Sequence, residues 1–437
     1  MTTGITQTDT GILRALATRV AEIAALQENE EKRQAIRALN RLDSVPPRIY
    51  CFPEGVWLEI LPWERLSCTN PLLRGWEMQL RLAIATHEFL RDDQPVDAVF
   101  NVPWDAEISS NGLQVGETMT DSAARKPYYI HPYSNLVLSS HSQLGAVHYE
   151  RPLQEHRDIE RLRTPKLTVN LERSADWLAL AHEIFDGILT VRRRHHWWHT
   201  VGGVCQTAVM LRGMDTLMLD MLDEPNWVHE LLDRLAANHN AVLDQLEAGG
   251  FLSLNNGCEW INNGGIGYSD VLPSAGFDPE RVRCRDLWGG QESQDLVGIS
   301  PAMYEELFFP HLKPIIERFG LGCYGCCEPL HDWIPVLKRI RNLRRVSISP
   351  WADIEKSAEQ LNRDYVFCCK PHPAVVATDR MDETAITRNL VETFTITKRH
   401  DCRVEVMLKD LHTVQHEPQR LPRWVELVKA ARAQVYG

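Results

Sequence analysis

Three of the chain's eleven cysteines fall within five residues of the stretch LGCYGCCEPLHDW, residues 321–333, and a glutamate, a proline and a histidine follow them. Thiolate, carboxylate and imidazole are the ligand types that zinc takes, and a three-ligand site leaves one position open for substrate. Two further stretches carry the same residue types: Cys368, Cys369, Lys370 and His372 in one, and Asp410, His412 and His416 in the other. If each stretch closes a strand, all three converge on one mouth. A metal there would lower the pKa of a bound water or thiol, or polarise an ether oxygen. Two other readings stand beside this one. Cysteine often serves as a small buried apolar side chain, so the strand thiols are also readable as core. Cys323 and Cys326 form a C-x-x-C pair, but a redox dithiol belongs at a helix N-terminus, whereas Cys323 lies within the strand that Cys326 closes. Alternation sends neighbouring strand side chains to opposite faces, so one of each adjacent cysteine pair is expected at the mouth unless the strand has already turned.

A second constellation lies in RCRDLWGGQESQDLVGISP, residues 283–301, where a short apolar run ends in polar loop residues. Trp288, Gln291 and Glu292 are candidates to line a pocket, against the alternative that Gly289 and Gly290 simply hold a turn. The aromatics of HHWWH (195–199) and NVPWD (101–105) either wall the same cavity or pack in the core.

Positioning such groups takes a scaffold, and the C-terminal part of the chain spells one. LGCYGCC precedes the helix PLHDWIPVLKRI, RRVSIS precedes ADIEKSAEQL, DYVFCC precedes DETAITRNLVETFTIT, and CRVEVMLKD precedes LPRWVELVKAARA. Successive strand-then-helix units imply a parallel α/β sheet with right-handed crossovers, either a closed barrel or an open doubly wound sheet. No G-x-G-x-x-G follows any strand, which argues against dinucleotide binding. Upstream, helices are predicted in PLLRGWEMQLRLAIATHEFLRDD, SADWLALAHEIFDGILTVRRR, WVHELLDRLAANHNAVLDQLEAGG and SPAMYEELFFPHLKPIIERFG. Residues 1–47 read as a helical extension, an appendage that ends where Pro46 and Pro47 break the pattern, and residues 48–437 as the main domain.

With 437 residues, 44% of them apolar and 24% charged, the composition is that of a soluble globular protein. A net charge of −12 opposes nucleic-acid binding. The isolated basic run VRRRHHWWH, 191–199, reads as a partner-binding or solvated helix face. No stretch has the length of a membrane span and no signal-peptide core is evident, so a cytoplasmic protein with free thiols is expected.

Several segments resemble the uroporphyrinogen decarboxylase-like superfamily. LRGMDTLMLDMLDEPNWVHELLDRL (211–235) is similar to its acidic-Pro-x-x-Val-His-x-Leu segment leading into a helix. DLWGGQESQDLVGISPAMYEELFFPHLKPII resembles its strand, polar loop and P-x-x-K helix, and LPRWVELVKAA its final helix. The resemblance covers roughly residues 170–437 and implies a (β/α)8 TIM barrel. The superfamily holds metal-free decarboxylases and zinc-dependent methyltransferases that work with corrinoid proteins. The decarboxylases' N-terminal Arg-rich motif is not found, since Arg74 and Arg81 fall on a predicted helix. Tyr324-Gly325-Cys326 falls near the methyltransferases' H-x-C, and their last-strand ligand position falls near Asp410. The resemblance therefore implies a zinc ion held from among Cys326, Cys327, Cys369 and Asp410. Glu328 and His412 would be the catalytic groups, with Trp288, Gln291, Glu292, Tyr324 and Lys370 against substrate. A methyl group would pass between a methoxylated or methylamine-type small molecule and a corrinoid carried by a separate protein, because no D-x-H-x-x-G motif occurs. A homodimer is compatible with this reading. The alternatives are a metal-free decarboxylase and a non-enzymatic, partner-binding barrel with structural cysteines.

Overall fold

A computed structural model describes residues 4–115, 150–200 and 202–437, together with the backbone of short strand segments between 117 and 149. Among the described residues eight strands pair in parallel fashion, in two separate sheets: β1 (Arg48–Cys51), β2 (Val99–Val102), β3 (Thr190–Arg193), β4 (Trp288–Gln291), β5 (Leu321–Tyr324), β6 (Leu343–Ile348), β7 (Val366–Cys369) and β8 (Arg403–Leu408). Six of them form one parallel sheet in the order β1-β8-β7-β6-β5-β4, so that the first strand pairs with the last. β2 and β3 form a separate parallel pair. The four C-terminal strand-then-helix units fall where the sequence places them. The chain is thus an α/β fold around a six-stranded parallel sheet.

Alternation sorts the strand residues cleanly. In β6 and β8, Val346, Ile348, Val404, Val406 and Leu408 pack in the outer core beneath the helices. Arg345 and Glu405 face the other way and form a fully buried ion pair with Nε 2.9 Å from Oε1. A charged pair in a strand interior is tolerable only when both ions are hydrogen-bonded. Arg345 Nη2 also donates to Asn40 Oδ1 at 2.9 Å, and Gly265 N donates to Glu405 Oε1 at 2.9 Å.

Gly265 belongs to a stretch, residues 255–268, that packs against this inward face, pinned by a bridge between Trp260 and Ile266. A Cβ on Gly264 would lie 2.3 Å from Arg345 Cδ, and one on Gly265 would lie 2.3 Å from Glu405 Oε2. Glycine is therefore required at both positions by close approach.

The N-terminal residues are integral to the core. Helices Gln7–Ala24 and Gln27–Arg41 bury Leu13, Ala17, Val20, Ile23 and Ile36 in one cluster with Tyr50, Phe100 and Met407. Asn40 then reaches inward, its Nδ2 donating to the carbonyls of Ile266 and Tyr268 at 3.0 and 2.7 Å. An appendage would leave these side chains in water.

The basic run is not a helix face either. The helix predicted through VRRR stops at Phe185, and Thr190–Arg193 is β3. Two of its three arginines are neutralised by a distant carboxylate: Arg192 pairs with Glu259, and Arg194 Nε lies 3.3 Å from the same group, while Arg193 donates to the carbonyls of Pro103 and Ser174. Among the described residues no helix is long and apolar enough to cross a membrane.

Candidate functional site

The strands β4 to β8 end at one mouth, and local backbone geometry decides which side chains reach it. After β5, Gly325 adopts φ +100°, and a Cβ there would meet Leu330 Cδ1 at 2.5 Å. This turn ends the alternation and brings Cys326 and Cys327 together, Sγ to Sγ 3.5 Å. Glu328 folds back beneath them. Its Oε2 accepts the Cys326 N–H and its Oε1 the Ser293 N–H, both at 2.8 Å. Lys370, just past β7, donates its Nζ to the Cys326 carbonyl at 2.9 Å. After β8 the inward series Glu405, Met407 continues to Lys409, and Asp410, at φ +60°, turns to the same side. Lys409 Nζ lies 2.5 Å from Asp410 Oδ1 and 4.0 Å from Cys326 Sγ, while Asp410 Oδ2 lies 3.6 Å from Cys327 Sγ.

Of these groups Cys326, Lys409 and Asp410 open onto a cavity of about 530 Å³, lined also by Glu292, Gln294, Asn262, Asn263, Gln206, Thr207, His199, His239 and Trp198, with the intervening glycines, whereas Lys370 lines a separate cavity with Cys369. The walls of the mouth cavity carry the amides of Gln206, Asn262, Asn263 and Gln294 with the Thr207 hydroxyl and two imidazoles, suited to orienting a small polar molecule.

Charge is tightly arranged here. Burial works against the Asp410 carboxylate, but the Lys409 and Lys370 ammoniums outweigh it and hold the carboxyl below its usual range. Burial likewise opposes the Lys409 charge, and Cys326, Glu54 and Asp410 overcome it and keep the ammonium protonated. The hydrogen bond between the thiols splits them, making Cys327 the more readily ionised and holding Cys326 up. Burial, with the Glu328 charge added, pushes Glu292 up to about 8, and burial pushes Glu54 up to about 7. Glu54 reaches the mouth from the loop after β1, accepting the Leu411 N–H at 3.0 Å.

Of the residues expected from sequence, Cys326, Cys327, Glu328, Lys370, Glu292 and Asp410 are brought together. The others are not. Cys369 falls on the outer face of β7 in the helix-covered core, lining a second cavity of about 360 Å³, and burial pushes its thiol up to about 12. Its neighbour Cys368 takes the inward face, beside Arg345 and Glu405. Tyr324 points outward, its hydroxyl 2.7 Å from Ser293 Oγ and bonded to Tyr304. Trp288 faces inward, but deep in the fold, its Nε1 donating to Gly267 O at 2.8 Å. Gln291 is buried and outside the cavity lining, and His412 is exposed. From HHWWH, Trp198 and His199 do line the cavity, whereas Trp104 of NVPWD packs on Phe251 and under Arg193.

The principal residue that sequence reasoning missed is Lys409. Counting the alternation on from Glu405 through Met407 finds it. Asn262 and Asn263 carried no such signal, because their segment has no strand or helix periodicity.

Zinc can be tested against these donors. Ligand atoms of a tetrahedral zinc stand about 3.8 Å apart for two sulfurs and about 3.5 Å for sulfur and oxygen, given bonds of about 2.3 and 2.0 Å. The separations of 3.5 Å between the thiols and 3.6 Å between Cys327 and Asp410 are close to these edges. Donor type therefore fits, and so do these two of the three edges. Among the described residues, however, no three His, Cys, Asp or Glu side chains are gathered as a metal-binding group. The donors run as a chain from Cys326 through Cys327 to Asp410, and the Lys409 ammonium bridges its two ends.

No protein-family model and no curated protein matches the chain. Among solved structures, it is similar to a methyltransferase from Methanosarcina mazei, with 11% identity and a TM-score of 0.46 over 93% of this chain and 99% of that one.

Proposed function

We propose that this protein is a methyltransferase whose eight parallel strands belong to one (β/α)8 barrel, and that it moves a methyl group between a small molecule in the mouth cavity and the cobalt of a corrinoid on a separate protein. The barrel reading is supported by the pairing of the first strand with the last. The methyl-transfer reading rests on the vicinal thiols Cys326 and Cys327, set beside Asp410 and Lys409 where the strands open onto a polar cavity. Sequence resemblance to the zinc-dependent methyltransferases points the same way.

Zinc is the proposed cofactor, with Cys326, Cys327 and Asp410 as the residues that would hold it once Lys409 withdraws. When bound it would supply a Lewis acid at the methyl-bearing heteroatom. The chain's own residues do the rest. Lys370 and Glu328 fix the backbone of Cys326 from both sides, through its carbonyl and its N–H. The asparagines and Gln206 orient the substrate, and Trp198 stands exposed at the rim, where a partner would meet it.

The decarboxylase alternative needs arginines free to grip carboxylates. Arg192 and Arg194 are committed to Glu259, Arg81 to Glu77, and Arg74 to the carbonyls of Trp63 and Leu66. Zinc analysis of the purified chain, paired with methyl transfer to free cob(I)alamin from methoxylated and methylamine-type donors, tests the proposal. About one equivalent of zinc and transfer from at least one donor are expected. A folded, active protein with less than about a tenth of an equivalent overturns the zinc assignment, and a zinc-loaded protein that transfers nothing overturns the methyltransferase.

A further inference from the structure

Two imidazoles share one wall of the mouth cavity. His199 comes from the segment after β3 and His239 from the helix Pro225–Ala248, and their ring centroids are 5.0 Å apart. Their surroundings decide where each carries its proton. His239 Nε2 lies 2.7 Å from the His199 carbonyl oxygen, and a carbonyl only accepts, so Nε2 is the protonated nitrogen. The opposite nitrogen, Nδ1, then holds a lone pair. It has no hydrogen-bond partner among the described residues, yet it is not sealed from solvent, so the lone pair is open to the cavity that the ring lines. His199 is the reverse case. Its Nδ1 is buried without a partner and its Nε2 is not, so the proton belongs on Nε2, where a hydrogen bond can still form. Both rings are neutral: burial, with the His199 ring and Arg318 adding to it, holds His239 down to about 3, and burial holds His199 down to about 4. The side chains of Cys326, Cys327 and Asp410 bond to one another and to Lys409, not to either ring.

We propose that His239 and His199 recognise a free hydroxyl on the substrate, and hence that the substrate is a hydroxylated aryl methyl ether, a methoxyphenol. The methyl group rests on the methyltransferase reading above; the hydroxyl rests on the imidazoles. A bare nitrogen and an N–H side by side are what one hydroxyl needs, since it donates to His239 Nδ1 and accepts from His199 Nε2. A carboxylate or an ether has no proton to give to Nδ1, and a quaternary ammonium neither donates nor accepts. A cavity of about 530 Å³ takes a single substituted ring, with the Trp198 indole at its edge to stack on. Neither histidine moves a proton in this role. They bind the hydroxyl and so decide which way round the ring enters.

The test reads binding and turnover separately on the full-length, zinc-supplied protein, by titration calorimetry and by methyl transfer to free cob(I)alamin. The probes are the ortho, meta and para methoxyphenols, anisole and methoxybenzamide. Wild type is expected to bind at least one methoxyphenol about tenfold or more tighter than anisole, which leaves Nδ1 unpaired. His239→Leu brings that ratio to within about twofold of unity. His239→Gln restores part of it, because glutamine can still donate to the His199 carbonyl and accept from the hydroxyl. Where His239→Leu fails to fold, His199→Phe, which keeps its backbone carbonyl, supplies the same comparison. Equal binding of anisole and every methoxyphenol, a folded His239→Leu protein with the wild-type ratio, or a preference for methoxybenzamide overturns the proposal. Selective binding of a methoxyphenol without methyl transfer overturns the methyltransferase reading and leaves the recognition of the hydroxyl standing.

Discussion

Glu405→Gln is the sharpest probe of how the scaffold carries the site. The pair it breaks is fully buried, with Arg345 Nε 2.9 Å from Glu405 Oε1. At that separation and an effective dielectric near 20, the direct attraction is about 6 kcal/mol. Glutamine keeps the shape and one acceptor for the Gly265 N–H but leaves the Arg345 guanidinium uncompensated beneath Trp288. Breaking one side of such a pair costs about 3–5 kcal/mol. With an unfolding entropy of about 2.1 cal/mol/K per residue, a chain of this length loses about 1 °C per kcal/mol, so a fall of about 3–5 °C in Tm is expected. Differential scanning calorimetry reads this directly. Replacing both partners with apolar residues, Arg345→Met with Glu405→Leu, removes the orphan charge and should recover most of the loss. A single variant that melts within about 1 °C of wild type, or a double variant less stable than the single, refutes the reasoning.

Other outcomes follow from the same geometry. Cys369→Ala should cost about 1 kcal/mol as a small core truncation and leave metal content and methyl transfer unchanged, as metal analysis and the cob(I)alamin assay would show. Gly265→Ala drives a methyl group into Glu405 and Tyr50 and should cost about 1–3 kcal/mol in a chemical melt. Burial holds His239 down to about 3, below the usual value of about 6.5 of an unfolded histidine. The unfolded chain therefore takes up a proton there that the folded one refuses. Its contribution to stability is complete above about pH 6.5 and is lost as the pH falls toward 3, and His239→Gln should flatten the Tm-against-pH curve over that window.

The strands from Leu321 onward were legible because each is a short apolar run followed by an amphipathic helix, and all appear in one parallel sheet. Cys326 and Cys327 both come to the mouth because Gly325, at φ +100°, ends the strand's alternation, which the pleat alone does not reveal. What escaped was whatever depends on a distant partner. Arg192 and Arg194 read as surface because the neutralising carboxylate, Glu259, lies in a segment with no periodicity. The N-terminal helices read as an appendage because nothing local reveals that Asn40 reaches Arg345. Cys369 was placed at the mouth by its neighbours in sequence, whereas the pleat sends Cys368 inward and Cys369 out.

The thiol pair at the mouth, Cys326 and Cys327, is the proposed place of methyl transfer. The most direct measurement of this is the rate at which zinc-supplied wild type and Cys326→Ser convert cob(I)alamin to methylcobalamin with an aryl methyl ether. The wild type is predicted to carry about one equivalent of zinc and turn over, and the variant to lose the zinc and about 100-fold or more of the rate. A Cys326→Ser protein that keeps wild-type turnover contradicts it.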